Sequence, residues 1–257
     1  MLDRYHEVSE YYKNKLAMLN EMNDDVIKTS MILIMLDSLA QNYRGYPPGG
    51  QKSKQAFYDF IIDFSGNKWG IWESVDPVTL YYRLTLSDDI PLNGSPVLRC
   101  VDQANIYYPH SDGFKENAEE LLALIEDENK RGTLMKDHQY VSLLYRLRSK
   151  LVHELNMPSP LFSRTEVESD GQLPYYYNIG GGLDISTFDE DIANMKTTWH
   201  LVFQPEFLEL VFRECLCNYL LDCKKKELDP FFSNDADRSF YLSWYDIRDD
   251  KSAHIIK

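Results

Sequence analysis

Apolar side chains recur at the spacing of an α-helix through most of the first 155 residues of this 257-residue chain. The pattern predicts helices at about 2–22, 24–43, 53–65, 77–86, 112–130 and 137–155, and a long helix at about 205–227. Turns rich in proline or glycine, at 47–50, 90–96 and 156–160, separate several of them. The sequence therefore predicts a mainly α fold built as a helical bundle.

Two segments after Pro160 have the aromatic and β-branched composition of short strands, one at 173–179 and one at 197–203. They predict a small β-hairpin or sheet, inserted at about 173–203 before the last helix. The sequence contains no internal repeat and no low-complexity linker. One domain over residues 1–257 is therefore expected.

The charge of the chain limits its partners. A net charge of −14 opposes non-specific adhesion to nucleic acid or anionic lipid, so any contact with a phosphate backbone has to be local. The longest apolar stretch, 31–36, is far too short to cross a bilayer, which predicts no membrane partner. Four cysteines and the lack of a secretory signal pattern predict free thiols and a cytoplasmic location.

Common motifs for cofactors and metals are missing from the sequence. The glycines at 180–182 lack the lysine of a phosphate-binding loop, and no zinc-helix or calcium-loop pattern occurs. Cys215 and Cys217 lie about 200° apart around a helix, so both cannot face one metal, and core thiols are expected. We therefore expect no cofactor and no metal.

A basic helix stands out from this acidic background. Residues 130–150 carry a net charge of +5. Between 140 and 155, one stripe of the helix is apolar and consists of Tyr140, Leu144, Leu147, Leu151 and Leu155. The opposite face carries Arg146, Ser149 and His153. Arg148 projects only about 40° from the line of Leu144, which places a cation at the edge of the core.

A guanidinium in that position either extends its stem along the apolar surface or needs an anionic partner. Asp37 follows the apolar run 31–36 and is the carboxylate in the most comparable setting. We expect the two helices to pack so that Asp37 orients Arg148 at the mouth of a cleft that contains His153.

The segment YRLRSKLVHE at 145–154 resembles the signature of the HEPN superfamily (higher eukaryotes and prokaryotes nucleotide-binding), in which an arginine precedes a histidine by four to six intervening residues. Arg148 and His153 fit with four between them, and Asp37 lies on an early helix similar to the family's Asp-containing helix. The likeness covers a core at about 24–155. Ser149, after the motif arginine, departs from the Asn, Asp or His common in catalytic members.

This resemblance implies metal-independent endoribonuclease chemistry of the toxin or antiviral-defence type, in which a ribose 2′-hydroxyl attacks the adjacent phosphate. His153 would exchange the proton and Arg148 would stabilise the phosphorane, with Ser149 beside them and Asp37 in support. Because Arg148 and His153 lie about 140° apart on a helix, a homodimer with two motifs across one cleft is expected.

Single-stranded RNA is the expected substrate. Arg146 and Lys150 are candidate phosphate contacts, and Tyr140 or Tyr145 are candidate platforms for unstacked bases. Two other functions remain open. The fold could serve a non-catalytic interaction protein whose acidic surface and aromatic tail at 231–245 bind a partner such as an antitoxin, or a module that binds a nucleotide through Arg148 and Arg146.

Overall fold

The computed structural model describes residues 2–44, 51–66, 70–86, 106–107, 114–154, 161–162, 174–178 and 199–230. Within them the chain is mainly helical, which confirms the predicted fold class. The helices described are α1 (Leu2–Asn20), α2 (Asp25–Arg44), α3 (Gln51–Phe64), α4 (Pro77–Leu86), α5 (Phe114–Ala123), α6 (Glu128–Asp137), α7 (Tyr140–Glu154) and α8 (Pro205–Lys226). Cys100, Leu155 and the aromatic tail lie outside the described residues.

Helix α2 lies at the centre of the bundle and contacts α1, α3, α7 and α8. It begins where the Asp24 carboxylate accepts a hydrogen bond from the Ile27 backbone amide at 3.0 Å. Its inward side chains, including Ile32, Leu33 and Leu36, are completely buried. This burial, rather than helix propensity, supplies most of the stability of such an apolar helix.

The helix predicted over 112–130 is wrong, because the segment forms two helices, α5 and α6, with a break at 124–127. Asp127 causes the second start: its carboxylate accepts hydrogen bonds from the amides of Asn129 and Lys130. The first amides of a helix have no partner within it, and the Asp127 carboxylate supplies acceptors for two of them. A new helix can therefore begin at this point.

The predicted start of the motif helix at 137 is also wrong, since α6 ends at Asp137 and α7 begins at Tyr140. The intervening backbone pairs with the distant segment 72–76. The His138 carbonyl accepts from the Asp76 amide at 2.8 Å, and the amides of Tyr140 and Val141 donate to carbonyls of Ser74 and Trp72. These long-range bonds replace the ones that a continuous helix would make.

The described residues include a small sheet. Its strands are β1 (Ile106–Tyr107), β2 (Leu161–Phe162), β3 (Tyr175–Asn178) and β4 (Trp199–Val202), in the order β1-β3-β4-β2. β3 and β4 lie within the two segments predicted as strands, whereas β1 and β2 were not predicted. β3 pairs antiparallel with β4, Tyr176 opposite Leu201, whereas β2 pairs parallel with β4. Leu201 and Val202 are buried, so β4 leads directly into the core.

Helix α8 is part of the core rather than an addition at its edge. It packs against α1, α2 and α3. Pro205 occupies its first turn, where its missing amide hydrogen costs nothing. Tyr219 of α8 contacts the rings of Tyr43, Phe60 and Phe64 at centroid distances of 5.6–6.3 Å, which joins three helices through one aromatic cluster.

Candidate functional site around the Asp37–Arg148 ion pair

Asp37 on α2 and Arg148 on α7 form an ion pair. The Arg148 Nη2 atom donates to Asp37 Oδ2 at 2.5 Å, and the two side chains are only 13% and 14% exposed. The pairing expected from the sequence is therefore present. Because both charges are largely removed from water, each depends on the other for its solvation.

Asp37 is held in place from α2 and α3. The Gln41 Nε2 atom donates to Asp37 Oδ1 at 3.4 Å and to Ser53 Oγ at 2.9 Å. Gln41 and Ser53 are both buried. Gln41 and Arg148 thus bind different oxygens of the Asp37 carboxylate, and together these contacts restrain its orientation.

The guanidinium also lies over an aromatic ring of its own helix. Its central carbon is 5.8 Å from the ring centroid of Tyr145. Tyr145 in turn contacts the rings of Phe57 and Tyr58 on α3 at 5.5 and 5.9 Å. A cation over a ring face is favourable and orients the arginine plane. Arg148 is thus positioned by three helices.

The Nε donor of Arg148 takes no part in the ion pair with Asp37. The Nε atom is buried and has no hydrogen-bond acceptor among the described residues. An unsatisfied buried donor costs free energy, here on a residue already committed to an ion pair. A guanidinium has five N–H donors, and Asp37 accepts one of them, from Nη2.

The other predicted site residues lie on the same helix. Ser149 is partly exposed, and Lys150 is exposed. Arg146 is exposed and forms an ion pair with Asp137 at 3.6 Å, so an incoming phosphate would compete with that carboxylate. His153 belongs to the last turn of α7, but its side chain lies outside the described residues.

The two tyrosines proposed as base platforms differ in accessibility. Tyr140 is completely packed in the core, and its hydroxyl donates to Asp76 Oδ1 at 3.4 Å, so it presents no face to a base. The candidate role of Tyr140 as a base platform is wrong, because its ring is buried in the core with the rest of the apolar stripe. Tyr145 is partly buried beneath Arg148.

Sequence reasoning missed a second buried polar cluster, at the junction of α4 with α7. Asp76 is fully buried, and its Oδ2 accepts from the Thr79 amide at 2.8 Å. Thr79 Oγ1 lies 3.0 Å from His138 Nδ1. The signal was present in the sequence: an aspartate before proline, with threonine three positions on, is a typical helix start.

His138 is the titratable group most affected by this environment. Burial is the main cause that lowers the pKa of His138 to about 4, and the guanidinium groups of Arg146 and Arg83 lower it further. The Asp137 carboxylate opposes them. His138 is therefore neutral at pH 7 and acts as a structural hydrogen-bonding group.

The expectation of core thiols is confirmed for Cys215 and wrong for Cys217. Cys215 and Cys223 are buried, but Cys217 is exposed. No three His, Cys, Asp or Glu side chains among the described residues are grouped so that they could hold a metal ion. In the same part of the chain, no helix is long and apolar enough to cross a membrane.

Comparisons with protein-family models, with curated proteins and with solved structures found no match to this chain.

Proposed function

We propose that this protein is a HEPN-like, metal-independent endoribonuclease that cuts single-stranded RNA at a cleft formed by Arg148 and His153 of two copies. The observation that carries the proposal is the ion pair between Asp37 and Arg148. The pair supports the proposal because a group that stabilises a phosphate has to be held in one orientation. Arg148 is paired in this way, and it lies on the same helix as His153.

In the proposed reaction, the ribose 2′-oxygen attacks the adjacent phosphorus while an imidazole of His153 accepts its proton. The bond to the 5′-oxygen of the next nucleotide breaks, and that oxygen takes up a proton from a protonated His153. The products are a 2′,3′-cyclic phosphate and a free 5′-hydroxyl. Arg148 stabilises the negative charge that grows on the non-bridging oxygens. Arg146 and Lys150 contact flanking phosphates.

The test uses the purified full chain with a chelator present. A labelled single-stranded RNA is incubated beside the same sequence as DNA, and beside RNA with one 2′-deoxy position at each mapped cleavage site. We expect cutting of the RNA alone, no cutting at a 2′-deoxy position, and a cyclic phosphate detected by mass spectrometry. Cutting of the DNA, or of the deoxy positions, would contradict the mechanism.

A matched pair of variants assigns the histidine. His153→Ala is expected to reduce the rate by at least about a hundredfold, as loss of a general acid–base group does. His6→Ala removes an exposed histidine on α1 and should leave the rate unchanged. Equal rates for the two variants, with both folded by circular dichroism, would remove His153 from the mechanism.

A second function is supported by the low exposure of the same pair. An arginine that is 14% exposed and paired with a carboxylate also suits a structural role in a non-catalytic interaction protein. If this alternative is correct, the wild type should not cut the single-stranded RNA at any protein concentration. Partner binding should then be unchanged in His153→Ala.

A further inference from the structure

A groove remote from the ion pair runs between α1 and α8. It has a volume of about 350 Å³, and its lining includes Leu16, Leu216, Leu220 and Leu221. Leu16 and Leu216 are buried and form its floor, whereas Leu221 is 50% exposed at its rim. An apolar floor open to solvent is typical of a binding groove.

The two helices that form the groove are antiparallel. Tyr5 near the start of α1 donates to the Leu228 carbonyl just beyond α8 at 2.8 Å, while Tyr12 meets Phe212 near the middle of both helices. The lining residues recur every three or four positions: Tyr5, Ser9, Lys13 and Leu16 on α1, and Arg213, Leu216, Leu220 and Lys224 on α8. Each row spans about 16 Å of helix, or three turns.

Two antiparallel helices with rows at this spacing form a groove whose shape and length suit a third helix. A third helix that fills the groove needs apolar residues at every third or fourth position.

The charged side chains that line the groove are of one sign. Its charged lining residues, Lys13, Arg213 and Lys224, are all basic, in a chain whose net charge is −14. Glu10 and Glu209 form ion pairs with Lys13 and Arg213 from positions that do not line the groove. A partner whose flanking residues are acidic would therefore add carboxylates where the rim presents cations.

We propose that the α1–α8 groove binds an acidic amphipathic helix of a partner protein. The apolar stripe of that helix packs on the leucine floor, and its flanking glutamates or aspartates face Lys13, Arg213 and Lys224. This interaction surface is separate from the Asp37–Arg148 pair and does not depend on the ribonuclease activity.

The probe is a synthetic helix of about 18 residues, enough to cover three turns with one further turn at each end. It carries leucines at every third or fourth position along one face, glutamates on both sides of that face and a terminal fluorophore. A second peptide replaces every glutamate with lysine. Fluorescence anisotropy against the full chain should show saturable binding of the acidic peptide, with a Kd on the order of 10 µM, and at least about tenfold weaker binding of the basic peptide.

Exposed positions provide variants that retain the fold. Leu221→Glu combined with Lys224→Glu should weaken binding of the acidic peptide at least about tenfold. The matched control combines Leu124→Glu, another exposed leucine, with Lys225→Glu, an exposed lysine that does not line the groove. The control variant should bind the acidic peptide with the affinity of the wild type.

Three results would overturn the proposal. The first is equal affinity for the acidic and basic peptides, or no saturable binding of either. The second is equal weakening in the groove variant and its control. The third is concentration-dependent self-association of the wild type, measured by sedimentation, that the groove variant abolishes, because the groove would then bind a second copy instead.

Discussion

Arg148 and Asp37 lie 111 positions apart in the chain, yet their side chains meet at 2.5 Å and connect α7 to α2. Neither helix could bury its charged residue alone at low cost. Breaking such a pair by removing one partner leaves an uncompensated charge in a poorly hydrated place. The pair therefore couples the packing of two helices to the position of the proposed site.

A double-mutant cycle measures this coupling. Asp37→Asn and Arg148→Met should each lower the free energy of unfolding by about 2–3 kcal/mol, while the double variant should lose at least about 1 kcal/mol less than the sum. The control cycle is Asp222→Asn with Lys226→Met, an exposed pair at 2.7 Å that should couple by less than about 0.5 kcal/mol. Chemical denaturation provides the values, and additive effects at Asp37 and Arg148 would contradict the pairing.

The buried His138 predicts a pH-dependent stability. Its folded-state pKa of about 4 lies below the ordinary 6.5, so between these values the unfolded chain binds a proton that the folded chain does not. The free energy of unfolding should therefore fall as the pH is lowered through this window.

His138→Asn removes the titration while keeping a polar group near Thr79. From pH 7 to pH 5, the wild type should lose about 2 kcal/mol more than this variant. The comparison between the two proteins cancels groups that titrate in both. Parallel stability profiles would show that His138 is not buried as a neutral group.

Asp76 should matter more than an exposed helix cap. Asp76→Ala removes a fully buried carboxylate that accepts the Thr79 amide, and should cost about 2 kcal/mol or more. Asp127→Ala removes the exposed cap of α6, and about 1 kcal/mol is expected. Thermal denaturation of both variants tests the order, and a larger loss for Asp127→Ala would reverse it.

The end of α8 offers a stabilising substitution. Glu227 has a φ of 55°, in the left-handed region that favours glycine, and the Leu228 amide closes the turn on the Cys223 carbonyl at 2.9 Å. Glu227→Gly should raise the free energy of unfolding by about 1 kcal/mol. Glu227→Ala removes the same charge but keeps the strain, so it should gain clearly less than the glycine variant.

The cysteines of α8 should differ in reactivity. Burial raises the pKa of the Cys223 thiol to about 11 and that of Cys215 well above its ordinary value, whereas Cys217 is exposed. A thiol reagent at pH 8 should therefore modify Cys217 first among these three. Peptide mapping by mass spectrometry identifies the modified site, and early labelling of Cys215 would contradict the packing of α8.

Patterns within one helix were predictable. The stripe of Tyr140, Leu144, Leu147 and Leu151 is buried, and the span of α4, Pro77–Leu86, matches the predicted range. The ion pair was predictable too, because each charge is embedded in an apolar sequence that leaves it in need of a counter-charge.

Interactions between distant segments were not predictable in the same way. The start of α7 depends on hydrogen bonds from Tyr140 and Val141 to carbonyls near residue 73, which no local pattern encodes. The Gln41–Ser53 bond and the α1–α8 groove likewise arise from helix packing. These features require knowledge of which helices become neighbours.

The burial of α8 has a consequence for synthesis of the chain. Phe207, Val211 and Phe212 are fully buried, and Phe212 contacts Tyr12, which the ribosome made 200 positions earlier. The space between the early helices cannot close until α8 has emerged. A nascent chain interrupted after α7 is therefore expected to bind chaperones and to be degraded rather than to fold.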